Sequence, residues 1–475
     1  MDAPEIVARI ARYVETPAAF VAFLKAMPPT SLGAPLQSAR HLACMLPASD
    51  LWPHLALGRS SVLQKHVEAV NSFMGWHGNL SVDENSQALL NQLPPLLQPL
   101  QQVLSRAHLH LTLRRVTGAQ VHFLAMHHGD RIRSLSISVL EPGNGIRLRA
   151  SMARIGQALG LCPHLSTFHL YVDHPSWDGT DLQPIFDRLK DSDVTDWRLY
   201  ATGYRGELVT DKCSAALVEW LYHAPVVAFA WVDPEPYETK PTPALHHLVR
   251  ALTTSTSIRV VDLSLSKALL TTWATTRTRV LPRSLKKLVL EYPHAPETYL
   301  TSLGQRIALS HVSSVDLTWN PCLCIDALAP YLPRMHTLST LNLSHCYLMI
   351  EGGKRLAQLL PQLGALTTLV LTANDLFDEG VKAVMQSVPA CPKLAKLRLD
   401  RNHLTDGSFA AVVLACRACP DLRNVDLSEN LFKSTTIRRL HRKPDVISMK
   451  CAIWCPLRQD MAPSDRKDVH GVAAV

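Results

Sequence analysis

No run of apolar residues in this chain reaches the roughly 18 that a membrane-spanning helix needs. The longest candidate, Ala224 to Val232, has the length of a strand. Near the start, the charged side chains Glu5, Arg9, Arg12, Glu15 and Lys25 interrupt any apolar stretch, which points to no secretory signal and no membrane. Blocks of like charge are missing too. The net charge of +8 over 475 residues comes from scattered side chains, which argues against a basic arm for nucleic acid and against an acidic tail. The 11 cysteines are an odd number and do not read as a disulfide framework. They imply free thiols in a reducing compartment, cytoplasmic or nuclear.

Catalytic and metal motifs are equally scarce. Glu351-Gly352-Gly353-Lys354 ends like a phosphate loop, but Leu348 stands where its first glycine belongs. Gly143-Asn144-Gly145 has no third glycine, and no G-x-S-x-G occurs. Cys416-Arg417-Ala418-Cys419 has no second C-x-x-C nearby, as a structural zinc site requires. His108, His110, His122, His127 and His128 cluster without ligand spacing, which suits a solvated strand and loop. These absences point away from an enzyme, with no metal and no cofactor.

What the chain does have is repetition. Leu338, Leu341, Leu343, Cys346 and Leu348 form one pattern. Leu366, Leu369, Leu371, Asn374 and Leu376 repeat it, as do Leu394, Leu397, Leu399, Asn402 and Leu404, and then Leu422, Val425, Leu427, Asn430 and Phe432. The starts at 338, 366, 394 and 422 are each 28 apart. Leu369 and Leu371 alternate with Val370 and Thr372, so the leucines share one face of a short strand. An Asn side chain both donates and accepts. Stacked at one level, Asn320, Asn374, Asn402 and Asn430, with Cys346, would satisfy loop backbone groups that burial would otherwise leave unpaired. Val381, Val384, Met385 and Val388 then give a helical stripe. One such unit cannot bury its own apolar face, whereas stacked units share a continuous core.

The pattern resembles the leucine-rich repeat, L-x-x-L-x-L-x-x-N/C-x-L, and its length that of the ribonuclease-inhibitor-like class. The resemblance implies an α/β solenoid (horseshoe), with a curved parallel sheet inside and helices outside. Earlier copies begin at Ile132, Leu165, Val194, Val226, Ile258, Leu285 and Val312, and a further copy around His108, Leu111 and Leu113 has an ambiguous register. The repeat domain is expected over residues 104–455, with a disordered tail over 456–475. The proline-rich stretch Asp233 to Pro243 is expected as a surface loop on one rim. Cys162, Cys391 and Cys419 each lie three residues before a repeat start and each precede a proline, which marks packing positions. Cys451 and Cys455 are expected in a terminal cap.

Residues 1–60 read as helical and 61–103 as a helical linker or cap, with a loop from Gly75 to Asn85. Pro4, Ile6, Ile10, Tyr13, Phe20 and Leu24, followed by Trp52, resemble a divergent F-box, the module that docks on the adaptor subunit of cullin-based ubiquitin ligases. Those six residues would be the adaptor contacts. Ala3 replaces the usual leucine before Pro4, and residues 30–47 lack the usual helical run. A plain cap on the solenoid is the competing account of the same segment.

Between the inward leucines, outward side chains would line the concave face: Lys287, Glu291, Tyr292, Asp316, Trp319, Lys396, Arg398, Asp400, Arg401, Asp426 and Glu429. Aromatics beside arginine are typical interface anchors. The expected function is therefore protein–protein recognition by a monomer, with one partner on the concave face and the cullin-ligase adaptor at the N-terminus. Ran GTPase-activator-like proteins share the repeat type and give the alternative, regulation of a small GTPase.

Overall fold

Strand after strand, the chain adds one parallel neighbour in sequence order. The computed structural model describes all residues except 1–2, 15, 57–64, 84–105, 140–144, 175–176, 203–208, 234–241, 277–280, 292–296, 322–324, 420, 437–451 and 455–475. The chain divides into two compact units, Met1–Ala228 and Phe229–Val475. In the first unit the strands are β1 (Leu55–Ala56), β2 (Asn79–Asp83), β3 (His108–Val116), β4 (Ile132–Val139), β5 (Thr167–Asp173) and β6 (Asp196–Thr202), each paired in parallel with the next. β7 (Ala228–Val232) falls at the border. In the second unit β8 (Val260–Asp262), β9 (Lys287–Val289), β10 (Ser314–Asp316), β11 (Thr340–Asn342), β12 (Thr368–Val370), β13 (Lys396–Arg398), β14 (Asn424–Asp426) and β15 (Ala452–Trp454) continue the same order. Parallel neighbours need crossover connections, and the helices Met349–Leu359, Phe377–Ser387 and Asp406–Ala418 supply them in the most regular copies. This is a leucine-rich-repeat solenoid of α/β class.

Every copy from Ile132 onward carries its strand where the spacing places it. Register puts Leu341, Leu369, Leu397 and Val425 side by side, all buried. It also resolves the ambiguous early copy, because Leu111 pairs with Leu135 and Leu113 with Ile137. Glycine sets the helix spacing at one point. A Cβ on Gly353 would stand 3.2 Å from the Cα of Gly380, so the helices 349–359 and 377–387 meet almost backbone to backbone.

Two local expectations do not hold. The stretch read as a loop from Gly75 contains the end of a helix, Val67–His77, and then strand β2. Leu80 and Val82 are buried but stand among Asn79, Ser81 and Asp83, too few anchors for the repeat pattern. Pairing with β1 and β3 decides their conformation instead. The sheet thus begins at Leu55, ahead of residue 104. Residues 30–47 also contain a helix, Ala34–Leu42, with Pro35 in its first turn and Leu36, Ala39 and Leu42 buried. The segments around 89–104, 446–449 and 456–475, and Cys451 and Cys455, lie outside the described residues.

The thiols pack at repeat-defined positions. The Cys391 Sγ donates to the Leu360 carbonyl at 3.4 Å and that of Cys419 to the Val388 carbonyl at 3.1 Å. Burial pushes the Cys162 and Cys346 thiols up to about 12 and that of Cys391 to about 11. Thiolate is the reactive form. In native protein a maleimide will therefore label exposed Cys44 while Cys162, Cys346, Cys391 and Cys419 react only on unfolding. Rapid native labelling of any of these four, mapped by mass spectrometry, would contradict the packing.

Candidate functional site

In the second unit the three-residue strands β8 to β14 each bury the central side chain and turn the two flanking ones outward. The outward row nearest the following loop reads Asp262, Val289, Asp316, Asn342, Val370, Arg398 and Asp426. Four of these shape their own turn. The Oδ1 of Asp262, Asp316, Asn342 and Asp426 each accepts from the backbone N–H and hydroxyl two residues on, at Ser264, Thr318, Ser344 and Ser428. The recurring Asp/Asn-Leu-Ser/Thr triplet was legible in the sequence as a turn signal. Asp316 and Asp426 therefore serve the turn as well as the face.

Where the triplet is broken, neighbours compensate. Val370 and Arg398 occupy the Asx position of two copies, and Asp400 takes over between them. It accepts from Thr372 Oγ1 at 2.8 Å and from the Arg398 guanidinium at 3.2 and 3.1 Å. Asp400 is only 4% exposed, so it is not a surface contact as the spacing suggested. Its loop position turns it sideways along the ladder. Arg398 also lies 3.5 Å from Asp426, so its charge is committed within the fold.

The remaining outward residues separate into two groups. Lys287 is exposed and Glu291 half-buried near Asp262 and Asp316. Burial and the carboxylates of Asp262 and Asp316 push the Glu291 carboxyl up to about 7. Tyr292 lies outside the described residues. In the later copies Lys396 is exposed, and Arg401 and Glu429 form a two-bond pair at 2.7 and 2.9 Å. Trp319 is 46% exposed, and its ring stacks on His345 at 4.1 Å and 8°.

The loops after β10 to β14 hold residues at positive φ, alternate ones where there are several: Trp319, then His345, Tyr347 and Met349, then Ala373, Asp375 and Phe377, then Arg401 and His403, then Glu429. This region disfavours bulky L-residues and is usually left to Gly, Asn or Asp. Here it carries Trp, Tyr, Met and Phe, and Trp319, Tyr347, Met349 and Phe377 are all exposed. Of these, Trp319 stands out in the sequence as an interface anchor, while Tyr347, Met349 and Phe377 emerge only from the structure. A sequence signal was present even so: large side chains on either side of the Asn/Cys position, where the turn itself would favour small ones.

Behind these loops lies the Asn level. Asn374 Nδ2 donates to the Leu343 carbonyl at 2.7 Å, and its Oδ1 accepts from the Cys346 N–H at 3.0 Å. Asn402 makes the same bonds one copy on, to Leu371 and from Asn374, and Asn430 does so to Leu399 and from Asn402. Asn320 donates to Leu290 and Leu317, and the Cys346 Sγ donates to Leu317 at 3.1 Å. All five side chains are buried.

No protein-family model and no curated protein sequence matches the chain. Among solved structures, the leucine-rich repeat-containing protein LegL7 from Legionella pneumophila is similar at 18% identity with a TM-score of 0.35, covering 65% of this chain and 89% of its own. A TLR13–ssRNA13 complex is similar at 15% identity with a TM-score of 0.32, covering 69% of this chain and 46% of that one. Among the described residues, no helix is long and apolar enough to cross a membrane, and no group of three or more His, Cys, Asp or Glu could hold a metal ion.

The N-terminal candidates divide by burial. In the helix Ala3–Ala11 the inward residues are Val7 and Ala11, while Ile6, Ile10 and the following Tyr13 are 45%, 51% and 84% exposed. Pro4 is half-buried against Gly33. Phe20 and Leu24 are fully buried, and Phe20 stacks on Trp52 at 4.1 Å. Those two residues hold the segment together and are out of reach of an adaptor, contrary to the sequence expectation. The helix Pro17–Ala26 turns that face onto Trp52, whose indole donates to the Val14 carbonyl at 2.7 Å.

The histidines differ from expectation as well. His110 is half-buried and stacks on His54 at 3.7 Å. Burial, with His54 beside it, holds His110 down at about 3, and burial lowers His54 too. His77 packs on Trp52 and Phe73 and is held at about 4, mainly by burial.

Proposed function

We propose that the chain is a non-catalytic recognition protein that holds a protein partner across the outward side of β10–β14. The observation that carries this is the set of exposed bulky side chains at positive φ, with Trp319 foremost. Backbone held in sparsely populated conformations needs a compensating use, and such strain gathers at binding sites. An exposed tryptophan stacked in place gives apolar area with little freedom left to lose. The ion pairs around Arg398 and Arg401 would then frame the contact and set its register. Solvated pairs alone contribute little.

The second part of the reading is an adaptor contact at the N-terminus, as in ubiquitin-ligase subunits of F-box type. Ile6, Ile10 and Tyr13 favour it, because they form an exposed apolar row on the helix Ala3–Ala11 and just beyond it. The row lies beside the buried Val7 and Ala11 on the same helix, one residue round from them.

One binding experiment tests both parts. Purified cullin-ligase adaptor, and partners retained from cell extract, are offered to the full chain and to three variants. Trp319→Ala is expected to weaken the extract partner by about 2 kcal/mol, roughly 30-fold, and to leave the adaptor bound. Ile10→Asp is expected to do the reverse. Lys396→Glu is a better charge probe than a change at Arg398, whose loss would strand the buried Asp400. Partners that survive both Trp319→Ala and Lys396→Glu would place the contact elsewhere.

A further inference from the structure

The first positive-φ position in the loops after β10 to β14 builds a row of side chains along the second unit. The row runs Trp319, His345, Ala373, Arg401 and Glu429. Backbone ladder bonds fix the order: His345 N–H donates to Thr372, Ala373 to Asp400 and Arg401 to Ser428. Trp319 and His345 stack face to face, 8° from parallel. Arg401 is held in place by its two bonds to Glu429, one copy on. Between His345 and Arg401 the row has only a methyl group, that of half-buried Ala373. The two walls sense each other across it, since the Arg401 charge helps to lower the His345 pKa after burial.

We propose that the gap over Ala373 is a slot for one aromatic side chain of a protein partner, which rests on the recognition reading above. Adjacent copies stand ~4.8 Å apart, so a ring at the Ala373 level lies about 4.8 Å from each wall. That distance is inside the ~4.5–7 Å range of aromatic pairs and the ~6 Å reach of a cation over a ring. An imidazole face on one side and a cation on the other both favour a π ring over a branched aliphatic chain. The charge balance favours an amino-acid ring over a nucleotide base. Arg401 is matched by Glu429 and Arg398 by Asp400 and Asp426, so neither arginine beside the slot carries uncompensated charge for a phosphate.

The test uses ligand-observed saturation-transfer NMR on the purified full chain with N-acetyl-L-tyrosinamide, N-acetyl-L-leucinamide and adenosine monophosphate as probes. The tyrosine probe is expected to bind, with its ring protons receiving most of the saturation. Ala373→Phe fills the slot from within, and its neighbours Phe377 and His345 show that such side chains sit at positive φ here. It should weaken the tyrosine probe about tenfold or more, the sum expected of one stacking and one cation–π contact. Arg401→Gln should weaken it less, and thermal melting checks that both variants fold. Equal response to the leucine probe, preference for the nucleotide, no response at all, or undiminished binding to Ala373→Phe would each overturn the slot. If the slot fails this way while Trp319→Ala still releases the extract partner, the recognition face stands without it. If Trp319→Ala also retains the partner, the face itself is wrong.

Discussion

Asn402→Leu will lower the stability of the C-terminal unit by about 3 kcal/mol or more, seen as a fall in the urea midpoint. The side chain donates to the Leu371 and Asp400 carbonyls at 2.7 and 3.0 Å and accepts from the Asn374 and Leu376 N–H groups at 3.0 and 3.4 Å. Leucine has the same branching, is bulkier, and offers none of these bonds. A buried backbone group left without a partner costs about 1–3 kcal/mol, and the change strands groups in two successive copies. No water reaches them, since Asn374 and Asn402 are fully buried. The gain in apolar contact is small by comparison, about 0.8 kcal/mol per added methylene. A midpoint unchanged within error would mean that Asn402 does not serve this ladder.

Acid will weaken the first unit well above the pH at which carboxylates titrate. Folding leaves His77 and His110 neutral, with pKa values near 4 and 3, whereas in the unfolded chain they titrate at the ordinary 6.5. Between those limits the unfolded state binds more protons than the folded one, so stability falls as pH falls. The contribution is fully present above pH 6.5 and is lost progressively down to about pH 4 and then 3. Moving a pKa by one corresponds to about 1.4 kcal/mol. Even discounted for solvent at the cluster's edge, the loss by pH 4 should reach about 3 kcal/mol. The groups facing the pair are His54, His108, Arg12 and Arg133, and each opposes a new positive charge there. His110→Phe keeps the stack on His54 and removes one titration, so its stability should depend less steeply on pH between 6.5 and 4. A variant with the wild-type slope would place the acid sensitivity in other groups.

The sequence made the strands and the Asn level readable because both obey a rigid period. A leucine displaced by one residue would face solvent, so the 28-residue spacing from Leu338 to Leu422 leaves little freedom. Strands β1 and β2 stayed hidden for the opposite reason. They are short, carry few apolar anchors, and owe their conformation to a neighbour. The site was legible only in outline. Trp319 stood out, but whether a charged residue such as Asp400 lies on the surface depends on Thr372 and Arg398, which belong to an adjoining copy or an adjoining turn. His54, His77 and His110 are far apart in sequence, and only folding makes them one cluster.

The Asn ladder also has a direction. Each Asn amide reaches back to the copy before it, and the backbone N–H groups of Asn374 and Asn402 reach forward to the copy after, so these links presuppose a whole copy on either side. Removing 366–393 as a block would bring the Asn402 oxygen to the Cys346 N–H and close the chain of bonds again. Removing a few residues from the same stretch would leave both neighbours stranded. Length change in this region is thus quantised. A lineage carrying it can gain or lose 28 residues far more readily than five, and every such event would widen or narrow the outward surface by one strand.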